Sequence, residues 1–501
     1  MEYPFWKRNH YVSTSDSPFE CCHHITDDIF NRHTKKPKEH SSLGTRKTSK
    51  NTKTSGNEGS VDNIRRNDDQ STKHNSPSDG GNEGSEISEI HVSSEVIGRN
   101  DGRPAAVKRL LRYNCDVADN EIDILKKSDL HDNIVRYYGV DKEKDQYFVY
   151  LALERCTCSL DDLIQASSGS SNNPGFPGDP ASIDGYKIKL ASVRDMIEDK
   201  NLRWVDSYPS PSLRQLMRDM VLGFSQLHGL GIIHRDLKPS NVLIAKNPFH
   251  AKLSDMGISK CLPKNKSSLG FHATGCGTTG WRAPELLAHG GRQTVAMDLF
   301  SLGCVLFFCV TCGGHPFGKI IERDTNIASD NIDLSSVEKL PEAHDLFSHL
   351  LSSDPILRPE ASQVPCHPFF WDSEKRLSFF HDVSDSLESE PREGNLNQEF
   401  ENIAQAAFDG NWGGKIDAEV ADLRGGRRTP YSGSSVRDLL RLVRNKFNHL
   451  EGDSERVKEI LGSVPDGLDA YFARKVPKLL IESYKAVPQI WKEEDRFKKY
   501  F

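Results

Sequence analysis

The sequence predicts an α+β unit with two lobes, followed by an all-helical module, and three observations support this fold class. Strand-like segments rich in β-branched and aromatic residues concentrate between about 86 and 153. From 211 to 311 the pattern is mostly helical, with a short strand pair near 242–253, so strands precede helices. Residues 373–501 are again helical. The sequence shows no internal repeat of the length typical of solenoid arrays.

Length and composition indicate folded domains behind an unfolded segment. The 501 residues suggest two to four domains, because one domain commonly takes roughly 100–200 residues. Residues 31–85 contain no Phe, Trp or Tyr and only three large aliphatic side chains. Such a segment cannot bury enough apolar area to offset the entropy of ordering it. We therefore predict a disordered N-terminal segment over 1–85.

The charge of the chain restricts its contacts with nucleic acid. The formal net charge is −7, from 65 Lys and Arg against 72 Asp and Glu. This excludes a generally basic surface, so any RNA contact requires a local basic patch. One basic tract, 31–53, carries eight Lys or Arg against one acid. It suits nuclear import or RNA tethering, but the simpler interpretation is a solvated linker.

The sequence predicts a cytoplasmic chain without direct membrane insertion. The N-terminus has no apolar region of the kind that signal peptides carry. The longest apolar stretch, 302–312, is too short to cross a bilayer as a helix and is typical of a core helix. The eleven cysteines are scattered, as expected for reduced thiols rather than a disulfide framework.

Within the first lobe, the elements follow in a clear order. We predict strands at 105–111, 133–138 and 147–153, because these runs are rich in β-branched and aromatic side chains. The segment 117–127 between the first two strands reads as a helix. Residues 166–182 are rich in Gly, Pro, Ser and Asn, and their composition predicts a loop.

The strongest chemical signal is the run His234-Arg-Asp-Leu-Lys-Pro-Ser-Asn241 between two apolar segments. It matches the H-R-D-x-x-x-x-N catalytic loop of protein kinases in full. In that role Asp236 accepts the proton of an incoming hydroxyl group. Lys238 faces the transferring phosphate, and Asn241 binds a second Mg²⁺ ion.

Further kinase motifs follow in the required order. Asp255-Met-Gly257 stands in the place of D-F-G, which makes Asp255 the main Mg²⁺ ligand. Lys108 ends a V-A-I-K-like strand, and Glu121 in the next helix is placed to pair with it. Ala283-Pro-Glu285 closes the set. Together the motifs predict a protein kinase domain over 86–371 that binds ATP or ADP with Mg²⁺.

The predicted hinge between the lobes follows the strand that ends near 153. Glu154 and Cys156 are placed there to offer backbone groups to adenine. Between Asp255 and Glu285 the chain offers hydroxyl groups that a kinase could phosphorylate, and Arg235 is a candidate partner for the phosphate. These hydroxyl groups belong to Ser267, Ser268, Thr274, Thr278 and Thr279.

One part of a kinase site is missing from the sequence. A phosphate-covering loop needs glycines so that backbone N–H groups can approach the nucleotide. The first strand and this loop should lie near 87–98, where Gly98 is the single glycine. Lys108, Asp255 and Mg²⁺ could still hold a nucleotide, but we expect impaired phosphoryl transfer.

The C-terminal module contains one informative helix. Five apolar residues recur at helical spacing and predict a buried face, after Ser435 as a good N-cap: Val436, Leu439, Leu440, Val443 and Phe447. The opposite face is predicted to carry Arg437, Arg441, Arg444, Asn445, Asn448 and His449. Residues 420–450 hold seven Lys or Arg against two acids, which is a local basic patch.

Two interpretations of this helix remain open. A solvated amphipathic helix is the simpler one, because charge on an exposed face is common. The other is metal-free RNA cleavage, for which a His with Arg, Asn and a nearby Tyr is chemically sufficient. One group takes the 2′-OH proton, a second protonates the leaving 5′-oxygen, and Arg neutralises the phosphate.

The combination of a kinase and this helix resembles one family, the inositol-requiring kinase/endoribonucleases of the unfolded-protein response. The likeness covers about 95–501 and is closest to plant members. It implies an α+β two-lobed protein kinase fold followed by an all-α kinase-extension nuclease domain, 373–501. It further implies that Tyr431, Arg444, Asn445 and His449 form the nuclease site, with His449 as general acid and Tyr431 as base.

The resemblance also implies partners and a biological setting. These are a stem-loop RNA substrate rather than DNA, splicing of an mRNA during ER stress, and nucleotide-stimulated dimerisation, as a homodimer or with full-length relatives. Family members usually carry a lumenal sensing domain and a transmembrane helix, and neither is in this sequence. We therefore expect a cytoplasmic protein that reaches the ER surface through a partner, with nuclear entry as an alternative.

Two other functions stay open at this point. The chain could be a pseudokinase scaffold that dimerises with full-length relatives and modulates them. It could instead be an active Ser/Thr kinase with weak or no nuclease activity. The 2-5A-dependent ribonuclease is a further relative, but its ankyrin array is missing from this sequence.

Overall fold

A computed structural model describes most of the chain from residue 88 onward. The predicted disordered segment 1–85 and the basic tract 31–53 lie outside the described residues. The described residues are 88–92, 95–100, 103–111, 115–142, 147–168, 180–198, 200, 202, 204–205, 208–264, 266–269, 277–288, 291–421, 431–491 and 494–501. Residues 87–501 belong to one compact unit.

The first lobe is built on a five-stranded antiparallel sheet with the strand order β1-β2-β3-β5-β4. Its strands are β1 (Ser88–Val92), β2 (Glu95–Asn100), β3 (Arg103–Leu111), β4 (Tyr137–Asp141) and β5 (Phe148–Glu154). One helix, α1 (Cys115–Ser128), follows β3. Buried Ile122 of α1 joins Val149 and Leu151 of β5 in a small apolar core between helix and sheet.

The predicted strand at 133–138 is wrong in its position. The strand β4 begins at Tyr137, and Ile134 forms only an isolated bridge to Leu253 in the second lobe. Asn133 and Val135 exchange backbone hydrogen bonds with Leu253 as well. The apolar run is therefore used partly to connect the lobes, a long-range pairing that local β-propensity does not report.

The second lobe is mainly helical, as predicted. Its helices are α2 (Leu160–Ser168), α3 (Pro180–Ile197), α4 (Pro211–Gly229), α5 (Pro284–Leu287), α6 (Ala296–Val310), α7 (Arg323–Ala328) and α8 (Pro341–Leu350). Its short strands are β6 (Cys158–Ser159), β7 (Trp204–Val205), β8 (Tyr208–Pro209), β9 (Ile232–Ile233), β10 (Val242–Ala245), β11 (His250–Leu253) and β12 (Lys260–Cys261). Every residue of α6 is buried, which agrees with a core helix in the apolar stretch 302–312.

The predicted loop over 166–182 is wrong at both ends. The helix α2 continues to Ser168, and α3 already begins at Pro180. Val193, Met196 and Ile197 of α3 are buried in the lobe's core, and they order a segment whose composition suggested an insertion without secondary structure. The remaining positions, 169–179, lie outside the described residues.

The C-terminal module is helical and has its own apolar core around Trp371, Phe379 and Trp412. Its helices are α9 (Ser373–Ser389), α10 (Asn395–Glu401), α11 (Ala404–Phe408), α12 (Ala418–Ala421), α13 (Val436–His449), α14 (Glu455–Leu461), α15 (Asp466–Lys475) and α16 (Leu479–Ile490). The long helices α9 and α13 pack against each other. In the described part of the chain, no helix is long and apolar enough to cross a membrane.

Buried charges join the second lobe to the C-terminal module. Arg376 of α9 lies 3.2 Å from Glu342 of α8 and 3.5 Å from Asp469 of α15, measured between side-chain N and O atoms. Its guanidinium group also lies over the ring of Tyr208, whose hydroxyl donates to Glu342 at 3.0 Å. Arg376 is 3% exposed and Glu342 is 1% exposed. The two parts therefore share a buried, charged junction.

Candidate active sites

The catalytic loop is anchored by a buried carboxylate that the sequence did not single out. Both oxygens of Asp298, in α6, accept backbone N–H groups, from His234 at 2.8 Å and from Arg235 at 2.9 Å. His228 lies 3.0 Å from the same carboxylate. Arg235 has a φ of +73°, a strained conformation for a side chain of its size. The anchor thus holds the backbone in the strained turn that precedes Asp236.

The predicted catalytic residues of the kinase domain lie within one hydrogen-bonded group. Asn241 donates from its amide nitrogen to the backbone oxygen of Asp236 at 2.8 Å and to its carboxylate at 3.1 Å. The hydroxyl group of Thr278 donates to the other carboxylate oxygen at 2.6 Å and accepts from Lys238 at 2.8 Å. The lysine nitrogen is 3.4 Å from Asp236. The carboxylate of Asp236 and the ammonium group of Lys238 therefore both contact the hydroxyl group of Thr278.

The structure also brings together the predicted nucleotide-binding charges. Lys108 of β3 donates to both oxygens of Glu121 at 2.7 and 2.9 Å, and to Asp255 at 2.8 Å. Burial favours the neutral form of Asp255, but the Lys108 ammonium outweighs it and lowers the pKa of this carboxyl below its ordinary value. Asp255 has a φ of +62°, so its backbone is strained as well.

The donor set around Asp255 suits a hard divalent cation. Asn241 uses its amide nitrogen on Asp236, which leaves its amide oxygen as an acceptor, and Asp255 is held as a carboxylate. Such oxygen ligands are those that Mg²⁺ prefers. The Lys108 ammonium group, which donates to Glu121 and Asp255, is the charge that the kinase pattern places beside a phosphate. When bound, Mg²⁺ would neutralise phosphate charge, and Asn241 and Asp255 are the residues that would hold it.

Of the predicted hinge residues, Glu154 is the last residue of β5 and Cys156 follows the strand. The N–H of Glu154 donates to the backbone oxygen of Arg136 at 2.9 Å, and its carboxylate accepts from Lys252 at 3.0 Å. The N–H of Glu154 is therefore used within the protein and is not available to adenine. Burial raises the pKa of the Cys156 thiol to about 12, so its side chain stays protonated and unreactive. Their role in adenine binding remains a prediction.

The strands β1 and β2 lie where the sequence places the first strand and the phosphate-covering loop. Their register pairs Val92 with Glu95, so two residues of the sequence, Ser93 and Ser94, separate the strands. Two residues without glycine are fewer than a G-x-G-x-x-G loop requires. Both positions lie outside the described residues, and the loss of the glycine loop remains a prediction.

The predicted nuclease helix is present, with its N-cap. The helix α13 runs from Val436 to His449, and the Ser435 hydroxyl accepts from the N–H of Asp438 at 3.2 Å. Glu401 adds two further contacts at this end, because its carboxylate accepts the N–H groups of Val436 and Arg437. The predicted apolar face is buried at four positions and partly buried at Phe447.

The predicted polar face is wrong at Arg437, and the basic patch is weaker than predicted. Arg437 is 8% exposed and binds Glu388 and the backbone oxygen of Glu390. Lys446, counted in the patch, is also buried. Arg441 lies 3.4 Å from Asp438. Periodicity assigned Arg437 to the outer face, but neighbouring helices cover that side. The patch members at 424, 427 and 428 lie outside the described residues.

Two of the four predicted nuclease residues are in direct contact. Asn445 donates to the Tyr431 hydroxyl oxygen at 2.9 Å. Asn445 and His449 are one turn apart and line a single cavity of about 340 Å³ at the end of α13. Arg444 points toward α9, where it binds Asp385 at 2.7 Å. The arrangement can position a phosphodiester beside an imidazole and an amide, with the buried phenol of Tyr431 bonded to that amide.

Several residues that shape these sites were missed, and one signal was available. Thr278 was noted only as a hydroxyl open to phosphorylation, although its place in Gly277-Thr-Thr-Gly-Trp281, just before Ala-Pro-Glu, marks the segment that reaches the catalytic loop. Asp298 and Asp385 carried no signal, because their partners are distant in the sequence. Asp453, which pairs with Lys446 of α13, follows that helix in a segment of no special composition. The roles of all predicted site residues remain predictions.

The comparisons with known proteins agree with this architecture. Residues 91–370 match the protein kinase domain family, and residues 376–501 match the Ribonuclease 2-5A family. Together these matches confirm the predicted fold class.

Similar proteins carry both domains in their names. Serine/threonine-protein kinase/endoribonuclease IRE1a of Arabidopsis thaliana is 48% identical over 442 residues, which cover 84% of this chain and 52% of that protein. Serine/threonine-protein kinase/endoribonuclease IRE1 of Oryza sativa is 48% identical over 432 residues, covering 83% and 45%. The human serine/threonine-protein kinase/endoribonuclease IRE2 is 37% identical over 401 residues, covering 78% and 39%.

The chain spans about half the length of the plant relatives it matches. The resemblance to the inositol-requiring kinase/endoribonucleases, with plant members among the similar relatives, is thereby confirmed. The chain belongs to the protein kinase family, and its kinase domain is followed by a Ribonuclease 2-5A family domain, the same pair of domains that the names of its IRE1 relatives indicate.

Proposed function

We propose that this chain is a metal-independent endoribonuclease fused to a Ser/Thr protein kinase domain, and that it cleaves stem-loop RNA, including an mRNA spliced in the unfolded-protein response. The observation that carries the proposal is the contact of Asn445 with Tyr431 beside the cavity that His449 lines. The kinase domain acts chiefly as a nucleotide-responsive platform for dimerisation.

The chemistry of the nuclease site needs two proton transfers. The 2′-oxygen of the RNA attacks the adjacent phosphorus and loses its proton to a base, for which we propose Tyr431. The bond from phosphorus to the 5′-oxygen breaks, and His449 protonates the leaving oxygen. Asn445 holds the phenol through its hydrogen bond at 2.9 Å. The products are a 2′,3′-cyclic phosphate and a 5′-hydroxyl end.

This mechanism predicts that cleavage resists metal removal. We expect the wild-type chain to cut a stem-loop RNA at the same rate, within about twofold, with EDTA or with Mg²⁺, because the proton transfers use side chains alone. Electrophoresis of end-labelled RNA gives the rate, and phosphatase treatment distinguishes a cyclic phosphate from a 3′-phosphate. The proposed nuclease fails if the RNA stays intact at high protein concentration, or if EDTA stops the reaction.

The kinase domain supports a second prediction, about nucleotide binding. We expect Lys108→Met to raise the Kd of ADP with Mg²⁺ about tenfold or more, because one charged contact to a phosphate is worth roughly 1.5–3 kcal/mol. Calorimetric titration measures the Kd. Lys142→Met is the matched control, since Lys142 is half exposed and pairs with exposed Asp119 in the same lobe. Equal affinities of wild type and Lys108→Met would contradict the site.

The two-residue connection between β1 and β2 favours a weak kinase. The hydrogen bonds of Asn241 and Thr278 to Asp236 favour an active kinase. Comparing ATP turnover by wild type and Asp236→Asn separates these. Equal background rates would indicate a pseudokinase, and strong wild-type turnover would show that the glycine loop is dispensable here.

We also propose that the chain dimerises, with a second copy or with a full-length relative, and that it lies in the cytoplasm. A full-length relative as the partner would bring the chain to the ER surface. The alternative location is the nucleus. Support comes from relatives that are about twice as long and share both domains. Binding to such a relative without either activity would favour a scaffold.

A further inference from the structure

A buried ion pair forms one wall of the cavity that His449 lines. Lys446 donates to both carboxylate oxygens of Asp453, each at 2.8 Å. The lysine side chain is 3% exposed, whereas the aspartate side chain is 25% exposed. Both residues face the cavity of about 340 Å³ together with Asn445 and His449. The pair is therefore part of the candidate nuclease site, although the resemblance assigns it no role.

The pair closes the turn that leaves the nuclease helix. His449 is the last residue of α13, and a 3₁₀ turn over 450–452 leads directly to Asp453. The N–H of Asp453 donates to the backbone oxygen of Leu450 at 3.0 Å. Lys446 stands one helical turn before His449. The ion pair thus ties the chain on one side of His449 to the chain on its other side.

His449 lies between two such tethers. Before it, Asn445 is fixed by the Tyr431 hydroxyl at 2.9 Å. After it, Asp453 is fixed by Lys446. The imidazole itself is exposed, so it depends on the backbone on either side for its position. A misplacement of about 1 Å can lower a catalysed rate about 10²-fold, which makes such fixing valuable at the end of a helix.

A buried lysine is costly, and its cost argues for a purpose beyond filling space. Removing an ammonium group from water costs several kcal/mol, and a carboxylate with good geometry roughly offsets that cost rather than adding stability. Because Asp453 neutralises Lys446, the pair does not serve as a free cation for the RNA phosphate.

We propose that Asp453 is a positioning residue of the nuclease, which holds the turn after His449 through Lys446 and so fixes the imidazole relative to Asn445 and Tyr431. This inference rests on the proposed nuclease activity. Asp453 touches neither the RNA nor the reacting atoms in this role.

The test compares three variants of the full chain on a stem-loop RNA with EDTA present. Asp453→Asn keeps the shape and removes the charge, and we expect kcat to fall about 10- to 100-fold with KM changed less than about threefold. The double variant Lys446→Met with Asp453→Asn replaces the pair by a neutral contact, which should restore the unfolding midpoint but leave kcat low. Glu459→Gln, in an exposed pair on α14, is the control and should match wild type.

A second readout separates positioning from simple stability. A misplaced imidazole lowers kcat while the contacts that set KM remain, whereas a loss of stability lowers the rate only in proportion to the fraction of protein that stays folded. A kcat that recovers with stability in the double variant would overturn the proposal, and so would an unchanged kcat in Asp453→Asn. If wild type cleaves no RNA, the proposed nuclease itself fails, which is a different result.

Discussion

His449→Ala should lower the rate of stem-loop cleavage at least ~10³-fold, since a positioned general acid contributes about 10²–10⁴ in rate and the leaving 5′-oxygen has no other donor in this mechanism. The imidazole is exposed at the end of α13, so its removal leaves the core of the module untouched. Single-turnover cleavage with EDTA present measures the chemical step without interference from product release or metal ions.

Asn448→Ala is the matched control for this experiment. Asn448 precedes His449 on the same helix and is also exposed, so the two variants remove polar groups of comparable size from neighbouring positions. We expect the control to cleave within about threefold of wild type, since a surface substitution away from a special site usually changes stability by less than ~0.5 kcal/mol. Equal loss in both variants would place the effect in RNA binding along the helix. Full activity of His449→Ala would assign the acid to another group.

Arg376→Ala should reduce the free energy of unfolding by about 3–5 kcal/mol, because it leaves the carboxylates of Glu342 and Asp469 without their cation in a buried junction. The effect should be large, since burial already raises the pKa of the Asp469 carboxyl. The stacking of the guanidinium group over Tyr208 is lost as well. Urea unfolding monitored by tryptophan fluorescence measures the change.

Arg456→Ala is the control that tests whether the loss of stability in Arg376→Ala comes from the buried position of the arginine or from the loss of any paired arginine. Arg456 pairs with Glu459 on the exposed face of α14, with both side chains more than two-thirds exposed. Surface pairs of this kind contribute about 0–1 kcal/mol. A loss below ~1 kcal/mol for Arg376→Ala would mean that water or a rearranged side chain compensates the buried carboxylates. Two separate unfolding transitions in Arg376→Ala would show that the junction makes the second lobe and the C-terminal module unfold cooperatively.

The kinase fold was predictable because its catalytic residues lie in short contiguous sequence motifs. The catalytic loop 234–241 and the Asp255 motif each carry several roles within a few residues, and the chain brings them together without help from remote signals. Likewise, α13 combines a capping serine with a regular apolar spacing. Local patterns of this kind survive folding because tertiary contacts reinforce them rather than compete with them.

The errors share one cause, which is that partners from elsewhere in the chain decide burial. The run at 133–138 is partly used to bond Leu253, and α3 is held by the core of the second lobe. Arg437 stands on the expected side of its helix but meets Glu388 from α9 there. A helical wheel predicts the face of the helix on which a side chain lies, but the packing of a neighbouring helix determines whether that face is exposed or buried.

For the sites, the reacting groups were easier to find than their supports. Tyr431, Asn445 and His449 could be named from the resemblance, and two of them are in contact. Asp298 could not be named, because it supports the catalytic loop from more than 60 residues away. Supporting carboxylates of this kind have no motif, since any element that ends nearby can supply them.

The register of β1 and β2 has a pharmacological consequence. Compounds that gain affinity by folding a glycine-rich loop over themselves would find no such cover in this chain, because two residues connect the strands. Ligands that rely on the charge of the Lys108 ammonium group, which lies beside Glu121 and Asp255, would keep that interaction. A chemical probe chosen by this criterion would distinguish this protein from kinases that retain the loop, which would allow each to be addressed separately in the same cell.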